Sequence, residues 1–219
     1  MTTSSARPFR TMLFAPGNHP RRVEKALTLA ADAVILDLED AVAVAEKIAT
    51  RETVVAALQG ARTGLGYVRI NAYDTEFCFG DLLVVVAAGV DGIIAPKIET
   101  AAQLQAVDWM IAQLEREKDL PASGIDLIPI IETGRGVANV REIAACETRI
   151  QRLSFGAGDY TKDMGMRWTR GEAEIAQARA EIALASRAAG LEPPIDTVWI
   201  HIKETEGCVA SAEAVRDMG

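Results

Sequence analysis

"AVILDLED", residues 33–40, is apolar until it meets Asp37, and it closes on Glu39 and Asp40. A strand with water on one face alternates apolar and polar residues. An unbroken run is the pattern of a parallel strand covered on both faces. Similar runs recur along the chain: "TMLFAP" (11–16), "YVRIN" (67–71), "GIIAPK" (92–97), "LIPIIE" (127–132), "RLSFGAG" (152–158) and "TVWIHI" (197–202). Between them lie stretches with helical spacing, among them "HPRRVEKALTLAA", "AVAEKIATRETVVAAL", "TAAQLQAVDWMIAQLEREK" and "GEAEIAQARAEIALASRAAG". Thr100 reads as a helix start and Gly190 as a helix stop.

Strict alternation of strand and helix implies right-handed parallel crossovers, and so an α/β fold. The seven runs favour a TIM (β/α)8-type barrel whose eighth strand is missing from this chain. An open doubly wound sheet is the alternative, but "FAPGNHPRR" lacks the three-glycine dinucleotide fingerprint. No low-complexity tract divides the chain, so residues 1–219 read as a single TIM-barrel-like domain.

The composition is that of a globular protein: 219 residues, 49% hydrophobic, 25% charged and 5% aromatic. A net charge of −8 argues against binding nucleic acid or an anionic membrane. Cys78, Cys146 and Cys208 are scattered and form no CxxC pair, which fits a reducing cytoplasm. Cys78 and Cys146 read as packing residues, and His19 as loop structure. With His19 and His201 the only histidines, a zinc site is poorly supplied with ligands. "MTTSSARPFR" carries no apolar signal core and no segment reaches membrane-spanning length, so the expected location is cytoplasmic.

In a parallel barrel, chemistry gathers at the C-terminal ends of the strands. Here those ends read Pro16-Gly17, Asp37 to Asp40, Arg69-Ile70-Asn71, Lys97-Ile98-Glu99, Glu132-Thr133 and Gly158-Asp159. Glu132 and Asp159 close successive strands, and adjacent carboxylates repel unless a cation lies between them. With no His or Cys nearby, the hard oxygen ligands suggest Mg²⁺, or Mn²⁺, leaving positions open for a chelating 2-oxo or 2-hydroxy acid. The glycines before Asp159, Gly158 included, allow backbone amides to approach a substrate carboxylate. The rival reading is that Glu132 and Asp159 each cap a helix start. Arg69 stands on an otherwise apolar strand and suits two-point binding of a carboxylate, with an internal salt bridge to Asp37 or Glu39 as its rival. Arg21, Arg22 and Lys25 in "PGNHPRRVEK" stand in the first turns of a helix, where anions are preferred. Arg21 and Lys25 share one face and suit a phosphate-bearing ligand, although a solvated face is the commoner meaning.

Taken in order, "RTMLFAPGNHPRRVEKA", "ADAVILDLEDAVAVAEKIATR", "VRIN", "GIIAPKIE", "IPIIETGRG" and "RLSFGAGDYTKDMG" resemble the citrate lyase β-subunit-like group of the HpcH/HpaI aldolase superfamily. The resemblance implies a TIM barrel that binds Mg²⁺ and makes or breaks a carbon–carbon bond in a citryl, malyl or citramalyl thioester. It implies that Glu132 and Asp159 hold the metal, that Arg69 binds substrate, and that Phe14, Arg21 and Lys25 contact CoA. It also implies a homotrimer or homohexamer, with CoA or an acyl carrier protein bearing the acyl group. Relatives continue into an "IHP"-type eighth strand and a C-terminal extension that supplies a catalytic aspartate, whereas this sequence stops at "AEAVRDMG" and has His201 and Lys203 where relatives carry acidic residues.

The expected activity is thus a Mg²⁺-dependent lyase running a reversible Claisen-type reaction. Asp37 is one candidate for its base. The alternatives are a class II aldolase acting on free 2-oxo acids and a protein that binds an acyl-CoA or 2-oxo acid without turnover.

Overall fold

In the computed structural model, which describes residues 9–219, strand and helix alternate from Met12 to Phe155. Residues 1–8 of the stretch read as carrying no signal core lie outside the described residues. The elements are β1 Met12–Pro16, α1 Pro20–Thr28, β2 Ala33–Asp37, α2 Lys47–Gln59, β3 Leu65–Arg69, α3 Cys78–Val85, β4 Gly92–Ala95 and α4 Ala101–Glu117. They continue as β5 Asp126–Ile131, α5 Gly134–Ala138, α6 Val140–Ala145, β6 Ser154–Phe155, α7 Ala157–Asp163, α8 Ala176–Ala188 and α9 Thr205–Met218. No helix among the described residues is long and apolar enough to cross a membrane.

The six strands form one parallel sheet in sequence order, curled into a half-barrel. Pro16 pairs with Asp37, Asp37 with Arg69, and Arg69 with Ile94, so the strand ends lie side by side. Val34 and Leu36 pack outward with Val68, Leu127 and Ile131 in the large core under the helices. Ala33, Ile35, Tyr67, Ile94, Ile128 and Ile130 form a separate core on the inner face. Both faces are therefore apolar, as the unbroken runs require. At α4, Thr100 accepts from the Gln103 amide in a capping box, worth about 1 kcal/mol, and Leu104, Val107, Ile111 and Leu114 face the core. Gly190 ends α8 at φ 73°, where a glycine is comfortable.

The seventh predicted strand, residues 197–202, is absent as a strand. Pairing beside β6 falls earlier, at a single bridge between Ser154 and Ile195. Phe155 donates its amide to the Ile195 carbonyl, but the Ala157 amide donates to the Thr197 hydroxyl, not to its backbone. A side chain thus takes over where the ladder would continue. Trp199 donates to the His201 carbonyl within the same stretch, and Ile202 is 88% exposed. An apolar run predicts a strand only if a neighbour pairs with it.

At the N-terminal end of the sheet the inner face closes with a polar knot. The Tyr67 hydroxyl donates to Asp126 at 2.9 Å, and Arg152 bonds Asp126 at 2.6 Å and Glu192 at 2.8 Å. The Arg152 guanidinium lies 4.6 Å from the centroid of the Phe9 ring.

Candidate active site

The two-residue period that places Ile35, Tyr67 and Ile130 inside places Asp37, Arg69 and Glu132 inside too, one step further along the same strands. These groups meet at the C-terminal end of the sheet. Asp37 accepts from Arg69 Nε at 2.7 Å and Nη2 at 2.6 Å, and from the amides of Glu39 at 2.9 Å and Ala41 at 3.0 Å. Burial pushes the Asp37 carboxyl up, but the Arg69 guanidinium outweighs it and holds the group below the usual range. Burial likewise opposes the charge on Arg69, and Asp37 overrides it. The predicted internal salt bridge to Asp37 is therefore present. Both oxygens of Asp37 are engaged, and its geometry is that of an anchor for Arg69.

Arg69 Nη1 lies 3.2 Å from Glu39 Oε2 without hydrogen-bond geometry, so that buried oxygen has no donor. Burial, against the pull of Arg69 and Lys97, raises the Glu39 carboxyl. Lys97, which the sequence reading noted only as a strand-end residue, stands at the centre. Its Nζ is 2.5 Å from Glu39, 3.2 Å from Asp159 and 3.6 Å from Asp40. Its backbone amide donates to Glu132 Oε1 at 2.9 Å. Burial works against the charge of Lys97, but Glu39, Glu132 and Asp159 hold the ammonium above its ordinary value.

Glu132 follows the last residue of β5 and is 3% exposed. Asp159 does not close β6 as expected; it lies in the first turn of α7. Lys97 joins the two acids through its amide and its ammonium. Burial first, then the charges of Glu39 and Asp159, push the Glu132 carboxyl up to about 8, against the pull of Lys97. On its other side Glu132 rests on Gly156, where an added Cβ would stand 2.4 Å from Oε2 and 2.7 Å from the glutamate Cβ. That position, two residues before the expected Gly158, requires glycine by close approach. A Cβ on Gly158 would meet nothing nearer than 3.8 Å.

A second layer holds the turn at residues 38–40. Buried Lys47 donates to the carbonyls of Leu38 and Glu39 and to Asn71, at 2.9, 2.6 and 2.6 Å. Asn71 donates in turn to Asp81, which Arg51 clamps at 2.7 Å. The overlooked signal was Lys47 at the first position of α2, where the helix dipole disfavours a cation.

The expected CoA contacts divide. Phe14 lies against Arg69, its ring centroid 5.1 Å from the guanidinium carbon. Arg21 and Lys25 are exposed on α1, but Lys25 falls in the last turn, where the dipole favours a cation. Arg21 and Arg22 remain at the unfavourable end.

Asp37, Glu39, Asp40, Glu132 and Asp159 face two cations, Arg69 and Lys97, a formal excess of three negative charges. Among the described residues no three acidic, His or Cys side chains converge closely enough to hold an ion by themselves. Magnesium needs only one or two protein carboxylates, completing its shell with water and substrate. All-oxygen donors, a carboxyl pushed up first by burial and then by neighbouring acids, and a carboxylate oxygen without a donor fit such a cation.

Residues 10–219 match the HpcH/HpaI aldolase/citrate lyase family. The chain is similar to the citrate lyase subunit beta of Leuconostoc mesenteroides subsp. cremoris, with 38% identity over 213 residues, 96% of this chain and 70% of that protein. It is similar to a (3S)-malyl-CoA thioesterase of Cereibacter sphaeroides, with 39% identity over 216 residues, 98% of this chain and 71% of that one. Among solved structures, the citrate lyase beta subunit from M. tuberculosis complexed with oxaloacetate and magnesium has a TM-score of 0.77 and 33% identity, covering 95% of this chain and 86% of that chain.

Proposed function

The chain belongs to the HpcH/HpaI aldolase/citrate lyase family, and we propose that it is a Mg²⁺-dependent carbon–carbon lyase acting on a hydroxy-dicarboxylic acyl thioester of the citryl, malyl or citramalyl class. The observation that carries this reading is the geometry at Lys97, which joins buried Glu132 to Asp159 beside a Glu39 oxygen without a donor, a crowding of carboxyl groups that a divalent cation would relieve. Two relatives' names point to the same chemistry, a citrate lyase subunit and a structure holding oxaloacetate and magnesium, and the (3S)-malyl-CoA thioesterase, whose name is that of a thioester hydrolase, supports the thioester substrate class.

Glu132 and Asp159 would hold the cation, which when bound supplies Lewis-acid polarisation of the substrate oxygen that becomes the 2-oxo group. Arg69, locked by Asp37 and stacked on Phe14, presents a fixed positive charge to the substrate carboxylate. In cleavage the hydroxyl proton passes to solvent and the carbon–oxygen bond becomes a carbonyl. The electron pair of the breaking carbon–carbon bond passes to the thioester as an enolate, to which solvent returns one proton. Lys47 and Asn71 keep the carbonyls of Leu38 and Glu39 turned away from this end, so the Glu39 and Asp40 side chains face it.

In the same reading the half-barrel is the greater part of an eight-stranded (β/α)8 architecture, and residues 1–219 are one domain. The separate inner core, kept apart from the core under the helices, supports this. Exposed Arg21 and Arg22 at the start of α1 support a phosphate-bearing carrier, either CoA or an acyl carrier protein, with Lys25 on the same helix. Exposed Val44, Ile48 and Phe79 support burial between copies, as a homotrimer or homohexamer. Three free cysteines support a cytoplasmic setting.

The test is a panel of citryl-, malyl- and citramalyl-CoA assayed with and without Mg²⁺. Glu132→Gln and Asp159→Asn are expected to lose metal-dependent turnover by about a hundredfold or more. Full activity in both variants would refute the assignment. Turnover of free 2-oxo acids alone would instead identify an aldolase, and binding without product a non-catalytic receptor.

A further inference from the structure

Lys97 follows the end of β4 in the left-handed region, at φ 52°. A lysine adopts that conformation rarely, and such strain persists where the surroundings over-determine it. The turn lets one residue reach four carboxylates: the amide bonds Glu132, and the ammonium faces Glu39, Asp159 and Asp40. The amide is fixed by the fold, whereas the ammonium rides on a flexible four-carbon stem that is 31% exposed.

We infer that Lys97 is a displaceable internal counter-cation: its ammonium competes with a divalent ion for Asp159 and Glu39, while its amide holds Glu132 in place whichever cation is present. The inference rests on reading Glu132 and Asp159 as the metal-holding pair. It deepens that reading by making this chain's own side chain set the affinity. A monovalent ion gains no charge by replacing an ammonium, whereas a divalent ion does, so the device also selects for charge. Lys97 is a positioning residue here, acting on the carboxylates and not on substrate.

The experiment measures binding of Mn²⁺ alone by electron paramagnetic resonance and of Mg²⁺ alone by calorimetry, without substrate. The variants are Lys97→Met, and Lys97→Asn, which keeps a residue at ease at positive φ. Thermal unfolding of both checks that they fold. The expected result is Mn²⁺ and Mg²⁺ dissociation constants at least about tenfold lower than in the parent, with inhibition of Mn²⁺ binding by Na⁺ or K⁺ appearing only in the variants. Unchanged or weakened binding in the folded variants overturns the inference. Glu132→Gln and Asp159→Asn in the parent background separate the two claims. If they bind Mn²⁺ as the parent does, the metal reading falls. If they lose Mn²⁺ while Lys97→Met binds as the parent does, only the role given to Lys97 falls.

Discussion

Each end of the sheet carries an arginine stacked on a phenylalanine and bonded to carboxylates: Arg152 on Phe9 at one end, Arg69 on Phe14 at the other. At the N-terminal end the pairing is complete. Arg152 takes both Asp126 and Glu192, and Tyr67 fills Asp126. At the C-terminal end one buried carboxylate oxygen, on Glu39, lacks a donor and the Glu132 carboxyl is driven toward neutrality, whereas neither Asp126 nor Glu192 leaves a buried oxygen without a donor. The contrast separates a structural cluster from a site. Similar residues make a clamp where every buried oxygen has a donor and a receptor where one does not.

The sharpest way to break the comparison is the same substitution at both ends. Arg69→Lys keeps the charge and loses the fork, so kcat/KM is expected to fall by about 10²–10³-fold. Arg152→Lys is expected to leave kcat/KM within about twofold, and to lower stability in urea unfolding by about 1–3 kcal/mol. Equal effects on turnover would erase the distinction.

The next effect is on the pH dependence of the metal-free protein. Burial first, then the charges of Glu39 and Asp159, push the Glu132 carboxyl up from its ordinary 4.5 to about 8, against the pull of Lys97. A raised carboxyl favours the folded state fully below the unfolded value and loses that advantage as pH rises through the folded one. Glu132→Gln is therefore expected to gain stability over the parent between about pH 4.5 and 8, reaching on the order of a few kcal/mol at pH 8. Chemical denaturation with chelator present measures it, and a flat difference would remove the argument that burial and crowding raise Glu132.

The smallest effect is at Gly156. Gly156→Ala puts a methyl against Glu132 Oε2 and Cβ and 3.0 Å from Ile130 Cγ2, none of it easily moved. Metal affinity is expected to fall by about tenfold, with a stability loss of about 1–3 kcal/mol. Gly158→Ala, with open space around it, is the matched control.

Much of this was legible because a strand's period assigns direction. Once "AVILDLED" and "LIPIIE" are strands, Asp37 and Glu132 must point with Ile35 and Ile130. Lys97 escaped because it stands in a connection, where no period operates and a positive φ aims the side chain. Lys47 escaped because two of its partners are backbone carbonyls nine and eight residues back and the third, Asn71, lies on another connection, which composition does not reveal. Asp159 was placed on a strand because an apolar run conceals where β6 stops, at Phe155. The run at 197–202 misled for the opposite reason: it had the strand pattern without a strand to pair with.

The clamp of Asp37 on Arg69 has a thermodynamic corollary. The guanidinium has its rotamers frozen before any ligand arrives, so the ordering entropy of a long side chain is already spent during folding. At the carboxylate-binding end, affinity differences among related dicarboxylates then report the shape and flexibility of the small molecule, since Arg69 has almost nothing left to rearrange.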